Sequence, residues 1–286
     1  MRNSDGRMQR VGTALLVAAV FAGITRADDV VLPCSRNNTL IETGGDVSNG
    51  KGDGIYSGLT LRSGIRRGLI RFDLTSIPAG STITSTSLEL TLIQTTGPDG
   101  PATLHRVLAD WGEGTSLSGG GLGAAATAGD ATWLERFYGT APWAVAGGDF
   151  SGVPSGTTTI VATAGTQTFG STSGLVADVQ AWIDNPGQNF GWAVLGDEQT
   201  LQSARRFASR EYVVPAQAPR LLVSFTPPTP ACPADFNQSG TLTVQDIFEF
   251  LGAYFGGAAG ADFNGAGGIT VQDIFDFLAA YFAGCP

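Results

Sequence analysis

TITSTSLELTLIQ, residues 82–94, sets the fold class. Leu88, Leu90 and Leu92 fall on one face of an extended chain, and Glu89 and Thr91 fall on the other. Successive side chains of a strand point to opposite faces of its sheet, so this alternation reads as a half-buried strand. Short β-branched runs flank it on both sides: VVLP (30–33), GLTLR (58–62), GLIRFDL (68–74), ATLHRVLAD (102–110), TTTIVATA (157–164), GWAVLG (191–196) and RLLVSF (220–225). Gly, Pro, Asn and Asp separate them. Many short strands broken by turn residues predict a mainly β domain, a sandwich or barrel, over residues 28–226. One segment breaks the pattern. In GLVADVQAWIDNP (174–186), Leu175, Val179 and Trp182 share a helix face that Pro186 ends. The Gly/Ala/Ser-rich stretch from Gly112 to Gly129 reads as a long surface loop.

Beyond the Pro/Thr linker at 227–231, the chain repeats itself. DFNQSGTLTVQDIFEFLGAYFGG begins at Asp235, and DFNGAGGITVQDIFDFLAAYFAG begins at Asp262. Each copy carries acidic and amide side chains at alternate positions, then a Gly, then an Asp that opens an amphipathic helix. A hard cation takes six to eight oxygens, and a tightly turning loop aims alternate side chains at it. In the first copy, Asp235, Asn237, Ser239 and Asp246 offer side-chain oxygens and Thr241 its carbonyl. In the second, Asp262, Asn264 and Asp273 offer side chains and Gly268 its carbonyl. The position equivalent to Ser239 is Ala266, which has no side-chain oxygen, so the second loop is expected to be the weaker. On the first helix Val244, Ile247, Phe248, Leu251 and Phe255 share one face, with Phe250 and Tyr254 elsewhere; the second helix repeats this. The apolar surface either packs the two helices together or faces a partner.

This arrangement resembles the type I dockerin family, whose two calcium loops end in Asp and are each followed by one helix. The likeness covers about the last 55 residues. It implies calcium as cofactor and a small helical domain at 232–286. It also implies docking onto a cohesin-like or envelope protein through Val244-Gln245 and Val271-Gln272, which precede the last ligand of each loop. Cys232 and Cys285 bracket the repeat and are paired with each other, leaving Cys34 as a buried free thiol. A second resemblance covers nearly all of 28–226. RRGLIRFDLTSIPAGSTITSTSLELTL (66–92), WGEGTS (111–116), GDATWLERFYGTAPWAVAGGDF (129–150), WIDNPGQNFGWAVLG (182–196) and RRFASREYVVPAQAPRLLVSF (205–225) together are similar to the DNRLRE-type domain of exported bacterial proteins. That family implies a jelly-roll-like β-sandwich akin to a carbohydrate-binding module, with acidic polysaccharide as a ligand of some members.

Arg2, Arg7 and Arg10 precede an apolar run, VGTALLVAAVFAGI (11–24), and Thr-Arg-Ala follows. This is the order of a secretory signal peptide, read here as residues 1–27. The run is too short for a comfortable membrane span. The chain's net charge is −9; losing the leader's four Arg and one Asp makes it −12. No Lys or Arg occurs from Thr229 onward. Nucleic acid, which needs a basic surface, is not an expected partner. Export permits the disulfide and puts the protein outside the cell or on its surface.

Glycan binding calls for exposed aromatic faces beside polar groups, and an anionic glycan for Arg as well. Trp111, Trp133, Tyr138 and Trp143 are the aromatic candidates, with packing in the core or at its rim as the competing use of each Trp. Arg62, Arg66, Arg67, Arg71, Arg205, Arg206 and Arg210 recur near strands. Structural pairs such as Arg71 with Asp73 and Arg210 with Glu211 are the competing use of those arginines. For an enzyme the sequence offers little. It has one His, His105, and no G-x-S-x-G elbow. Carboxylates Asp110, Glu113, Glu135 and Asp149 are the candidates for a glycosidase pair. The expected protein is non-catalytic.

Overall fold

The computed structural model describes residues 27–62, 64–228 and 232–285. The expected leader, except its last residue, and residues 229–231 of the linker lie outside the described residues. The chain forms two compact units that divide between residues 229 and 230.

The first unit is mainly β. Its principal strands are β1 (Asp28–Ile41), β2 (Gly54–Leu59), β3 (Ile65–Phe72), β4 (Thr82–Thr95), β5 (Gly100–Arg106), β6 (Gly156–Ile160), β7 (Gly165–Phe169), β8 (Trp192–Leu195), β9 (Arg205–Ala208) and β10 (Arg220–Thr226). Every pairing among them is antiparallel. β1 pairs β10 through its first half, Asp28↔Phe225 to Pro33↔Arg220. It then pairs β3 through its second half, Cys34↔Phe72 to Ile41↔Arg66. Pro33 has no N–H to continue the first ladder, and an irregularity between Cys34 and Arg36 redirects the strand. The order β1-β10-β4-β9-β2-β3 therefore returns to β1; β8, β5 and β6 extend it from β3, and β7 pairs β4.

β4 buries Leu88, Leu90 and Leu92 completely and leaves Glu89 outside, where it meets Arg220 at 2.6 Å. These leucines share one core with Ile55, Ile70, Trp192, Val194, Phe207 and Leu221 from the surrounding strands. Helix α1 (Ser173–Asp184) closes one end. Thr172 caps it by accepting from the Leu175 N–H at 3.1 Å, and it buries Leu175, Val179, Trp182 and Ile183. The buried Asp178 accepts from Trp192 Nε1 at 2.8 Å.

Strands β3 and β8 are buried on both faces, which is why their sequences run apolar without alternation. Ile70 and Trp192 enter the main core. Leu69 and Ala193 enter a second cluster with Leu40 of β1 and with Trp111, Trp133 and Trp143, which the segment after β5 supplies. The stretch 112–129 is thereby corrected from a plain surface loop to a fastened one. Asn38 donates to Glu113 O at 3.0 Å and accepts from Ser48 Oγ at 3.1 Å, and Ala124–Ala125 pairs with Val47–Ser48. Glu113 is gripped by Arg210 at 2.7 Å through both carboxylate oxygens and by Lys51 at 2.6 Å. Arg71 faces Asp110 at 3.8 Å rather than Asp73, whose carboxylate instead takes the Thr75 N–H.

Burial opposes the Glu113 charge, but the hydrogen bonds from Arg210, Lys51 and the Asn37 N–H outweigh it and hold the carboxyl below its usual range. The group therefore contributes stability above about pH 4.3, the ordinary Glu value, and loses it as pH falls through the depressed folded value. Glu113→Gln is expected to cost roughly 1–3 kcal/mol at pH 7 and less at pH 2.5. Chemical denaturation at the two pH values checks this; a gap that does not narrow on acidification refutes it. Cys34 is buried and unpaired, and burial pushes its thiol up to about 12. Its thiolate is essentially absent at neutral pH.

The second unit holds helices α2 (Val244–Gly256) and α3 (Val271–Ala283), each preceded by one of the repeated loops. Cys232 and Cys285 form a disulfide across it, with Cα atoms 5.2 Å apart. Closing a loop of 53 residues contributes about 4 kcal/mol in the chain-entropy model. The core is aromatic. Phe250 and Phe277 stack in parallel with ring centres 4.1 Å apart. Phe236, from the first loop, stands edge-on to Phe250, and Phe263, from the second, stands edge-on to Phe277, both at 5.5 Å. This decides what spacing left open. Phe250 is buried with Ile247 and Leu251 packed partly against its core, whereas Val244, Phe248 and Phe255 are exposed.

Candidate metal centre

The two loops fold alike because their sequences place the same donors and the same left-handed residues at the same offsets. Gly240 and Gly267, sixth in each loop, have φ of 82° and 92°. The fourth residues, Gln238 and Gly265, have φ of 56° and 66°. Glycine takes this conformation without steric cost. The turn brings the sixth N–H onto the first carboxylate: Gly240 N to Asp235 Oδ2 at 2.7 Å, Gly267 N to Asp262 Oδ2 at 2.9 Å.

The last carboxylate of each loop is wholly buried and belongs to a capping box. Asp246 Oδ2 accepts from the Thr243 N–H at 2.8 Å, and Oδ1 accepts from the Asn237 N–H at 3.2 Å. Asp273 repeats both bonds with Thr270 and Asn264, at 2.7 and 3.2 Å. Burial raises the Asp246 carboxyl, but the Thr243 and Asn237 bonds overcome this and hold it below its usual value. Asp273 is also held low, first by the Thr270 N–H. Both are therefore anions at neutral pH, as a cation ligand must be. Each loop thus ties its two carboxylates, first and last, into one turn.

The copies differ where Ser239 is replaced by Ala266. Ser239 gives Asp235 Oδ1 its N–H at 3.0 Å. In the second loop the Ala266 N–H goes to Asn264 Oδ1 at 2.9 Å, and Asp262 Oδ1 stands buried without a hydrogen-bond partner. Asn264 Nδ2 is drawn to Asp276 Oδ2 at 2.9 Å. A buried carboxylate oxygen without a donor is costly unless a cation takes it. The donor sets, two carboxylates with amide, hydroxyl and carbonyl oxygens, suit a hard cation such as calcium. Among the described residues, no three His, Cys, Asp or Glu side chains gather as a metal site, in the loops or elsewhere; each loop brings two carboxylates and relies on amide, hydroxyl and carbonyl oxygens for the rest.

The expected partner residues sit in the first turn of each helix. Val244, Gln245, Val271 and Gln272 are all exposed. Gln245 Nε2 donates to Glu249 at 2.9 Å, and Gln272 Nε2 to Asp276 at 2.9 Å. Apolar stripes continue from them: Val244, Phe248 and Phe255 on α2, and Val271, Phe275 and Phe282 on α3.

Three of the four aromatic candidates of the first unit are not presented for stacking: Trp111, Trp133 and Trp143 are buried, and the Trp111 and Trp143 indole N–H groups are spent on the carbonyls of Phe190 and Thr132. Tyr138 is half-buried. Arg67 covers Trp133 and pairs with Glu198 at 2.7 Å. The acidic candidates are committed too. Asp110 pairs Arg36 at 3.0 Å, Glu113 holds Arg210, Glu135 accepts from the Gly139 N–H, and Asp149 accepts from the Ala144 and Val145 N–H groups. His105 donates its Nδ1–H to Ser151 O at 2.7 Å, and its Nε2 meets the Thr103 hydroxyl at 3.0 Å. Among the described residues, no helix is long and apolar enough to cross a membrane. Sequence reasoning missed Tyr56, Gln94 and Gln202, which come from separate segments and line a cleft with four of the predicted arginines, Arg62, Arg66, Arg205 and Arg206. Comparison with protein-family models gives no match, and none of the curated proteins compared is significantly similar to the chain.

Proposed function

We propose that this is an exported, non-catalytic protein of the extracellular space or cell surface, with a jelly-roll-like, DNRLRE-type β unit that binds polysaccharide. Its dockerin-like second unit takes calcium and attaches the chain to a cohesin-like or envelope protein. The observation that carries the reading is the matched geometry of the two loops: the same carboxylates, the same left-handed turn and the same capping boxes, 27 residues apart by the spacing of Asp235 and Asp262. Asp235, Asn237, Ser239, the Thr241 carbonyl and Asp246 would hold one ion; Asp262, Asn264, the Gly268 carbonyl and Asp273 would hold the other. Calcium, when bound, would supply the positive charge that offsets carboxylates turned toward one another. The residues themselves orient the helices: each terminal Asp joins its loop to the first turn of its helix. The exposed stripes that start at Val244 and Val271 are the surface offered to the partner.

The test is calorimetric titration of the full chain with calcium after chelation. Uptake with a rise in the melting temperature of the second unit is expected. No heat and no stabilisation at millimolar calcium would remove the reading.

A further inference from the structure

Among the described residues, eight of the basic side chains make ion pairs, and Arg62, Arg66, Arg136 and Arg205 do not. Three of those four line one cleft of about 720 Å³ in the β unit, together with Arg206. Arg66 and Arg205 are only 4% and 2% exposed. Arg66 spends Nε on Gly121 O at 2.6 Å and Nη1 on Ile65 O at 2.9 Å. Arg205 donates to the carbonyls of Ser203 and Pro98, and its Nε is buried without a partner. Carbonyls carry no net charge, and Glu42 near Arg66 and Asp197 and Asp99 near Arg205 act only from beyond ion-pair distance, so compensation is partial. Buried cations are ordinarily paired, because a desolvated charge alone is costly. The one carboxylate in the lining, Glu42, accepts from the Ile65 N–H at 2.8 Å and makes no ion pair. Burial works against both guanidinium charges. In a chain of net charge −9, this is a local excess of positive charge.

The rest of the lining says what else the ligand carries. Gln94, Gln202, Thr43, Thr60, Thr95 and Thr96 offer amides and hydroxyls. Tyr56 and Leu122 supply flat and apolar wall. The Gly119–Gly121 run lies close over Tyr56; a Cβ on Gly121 would meet its ring at 3.0 Å. Charge at the floor, hydroxyl partners around it and an aromatic side together suit a polyhydroxylated anion.

We infer that this cleft binds an acidic sugar unit, with its carboxylate or sulfate held by the guanidiniums of Arg62, Arg66 and Arg205 and its ring lodged beside Tyr56. The inference rests on the polysaccharide-binding reading of the β unit and names its site and ligand class. Arg206 is already paired with Asp53, so it frames the cleft.

The experiment measures binding of the full chain, in chelator, to three probes: tetragalacturonate, a sulfated galactan tetrasaccharide and neutral galactotetraose. Chelator keeps calcium on the second unit from capturing the acids. One or both acidic probes are expected to bind at least tenfold more tightly than the neutral one, with affinity falling as salt rises; whichever acid binds identifies the anionic group. Arg205→Gln and Arg66→Gln should lose that binding. Because both are buried, the deciding variant is Arg62→Glu with Leu122→Glu, two exposed rim positions whose exchange leaves the core untouched. It should weaken acid binding at least tenfold, and Arg136→Gln, outside the cleft, should leave it unchanged. Acid binding retained by the rim variant would overturn the cleft and leave the polysaccharide reading standing. Equal affinity for the neutral probe would overturn the acidic class. No binding of any probe would remove the polysaccharide reading itself.

Discussion

Phe250→Ala is expected to abolish the folded second unit. Phe250 is fully buried and touches the other three rings of its core: it stacks on Phe277 at 4.1 Å and meets Phe236 and Phe263 edge-on at 5.5 and 6.1 Å. Truncating a buried Phe costs about 3–5 kcal/mol. That is comparable to the roughly 4 kcal/mol the disulfide contributes by constraining the unfolded chain. So small a unit has little else in reserve. Phe277→Ala should cost nearly the same, since the two rings play matched parts. Phe255→Ala and Phe282→Ala, at 80% and 79% exposed, should change stability by no more than about 0.5 kcal/mol. Scanning calorimetry of the full chain reads this directly: the small transition of the second unit vanishes in the first two variants and persists in the last two. Equal losses from Phe255 and Phe250 would mean the helices pack by their other face.

Asp246→Ala is expected to cost more than Asp273→Ala in calcium, and the same without it. Each removes an equivalent capping box, so in chelator the two losses should match. Calcium separates them. The first loop keeps the Ser239 hydroxyl as a donor, while the second has Ala266 and an Asn264 side chain tied to Asp276. The tighter site adds more binding energy to the folded state, so losing its last ligand removes more. Ala266→Asp should strengthen the second loop and narrow the difference. Melting temperatures of both variants, measured with chelator and with millimolar calcium, decide the matter. A difference already present in chelator, or none in calcium, would contradict the asymmetry.

Much of this was legible in the sequence, for identifiable reasons. The alternation of Leu88, Leu90 and Leu92 fixes which face of β4 is inside, because a strand has only two faces. The α1 face and its end before Pro186 follow from spacing and from proline. The pairing of Cys232 with Cys285 was also foreseen. The helix faces of the second unit were not. Both the Val244-Phe248-Phe255 stripe and the Phe250-Tyr254 stripe are apolar, so periodicity alone cannot choose between them. Phe236 and Phe263 choose, by folding out of the loops onto Phe250 and Phe277. Whether the tryptophans pack or face a ligand was left open by the sequence, because exposure is a property of what covers a residue. Trp111, Trp133 and Trp143 lie in a segment that folds back over the outer face of β3 and β8. The arginine cleft was only half visible. The arginines stand out in the sequence, but ion pairs formed with Asp53, Glu198 and Glu113 decide which of them stay unpaired.

The switch of β1 from β10 to β3 has a mechanical side. Asp28 lies opposite Phe225, so the strands that begin and end the β unit meet as the last rungs of one ladder. A pull between those two ends opens the rungs in turn, like a zip, and the first six residues of β1 yield before the second ladder, held by β3, is loaded.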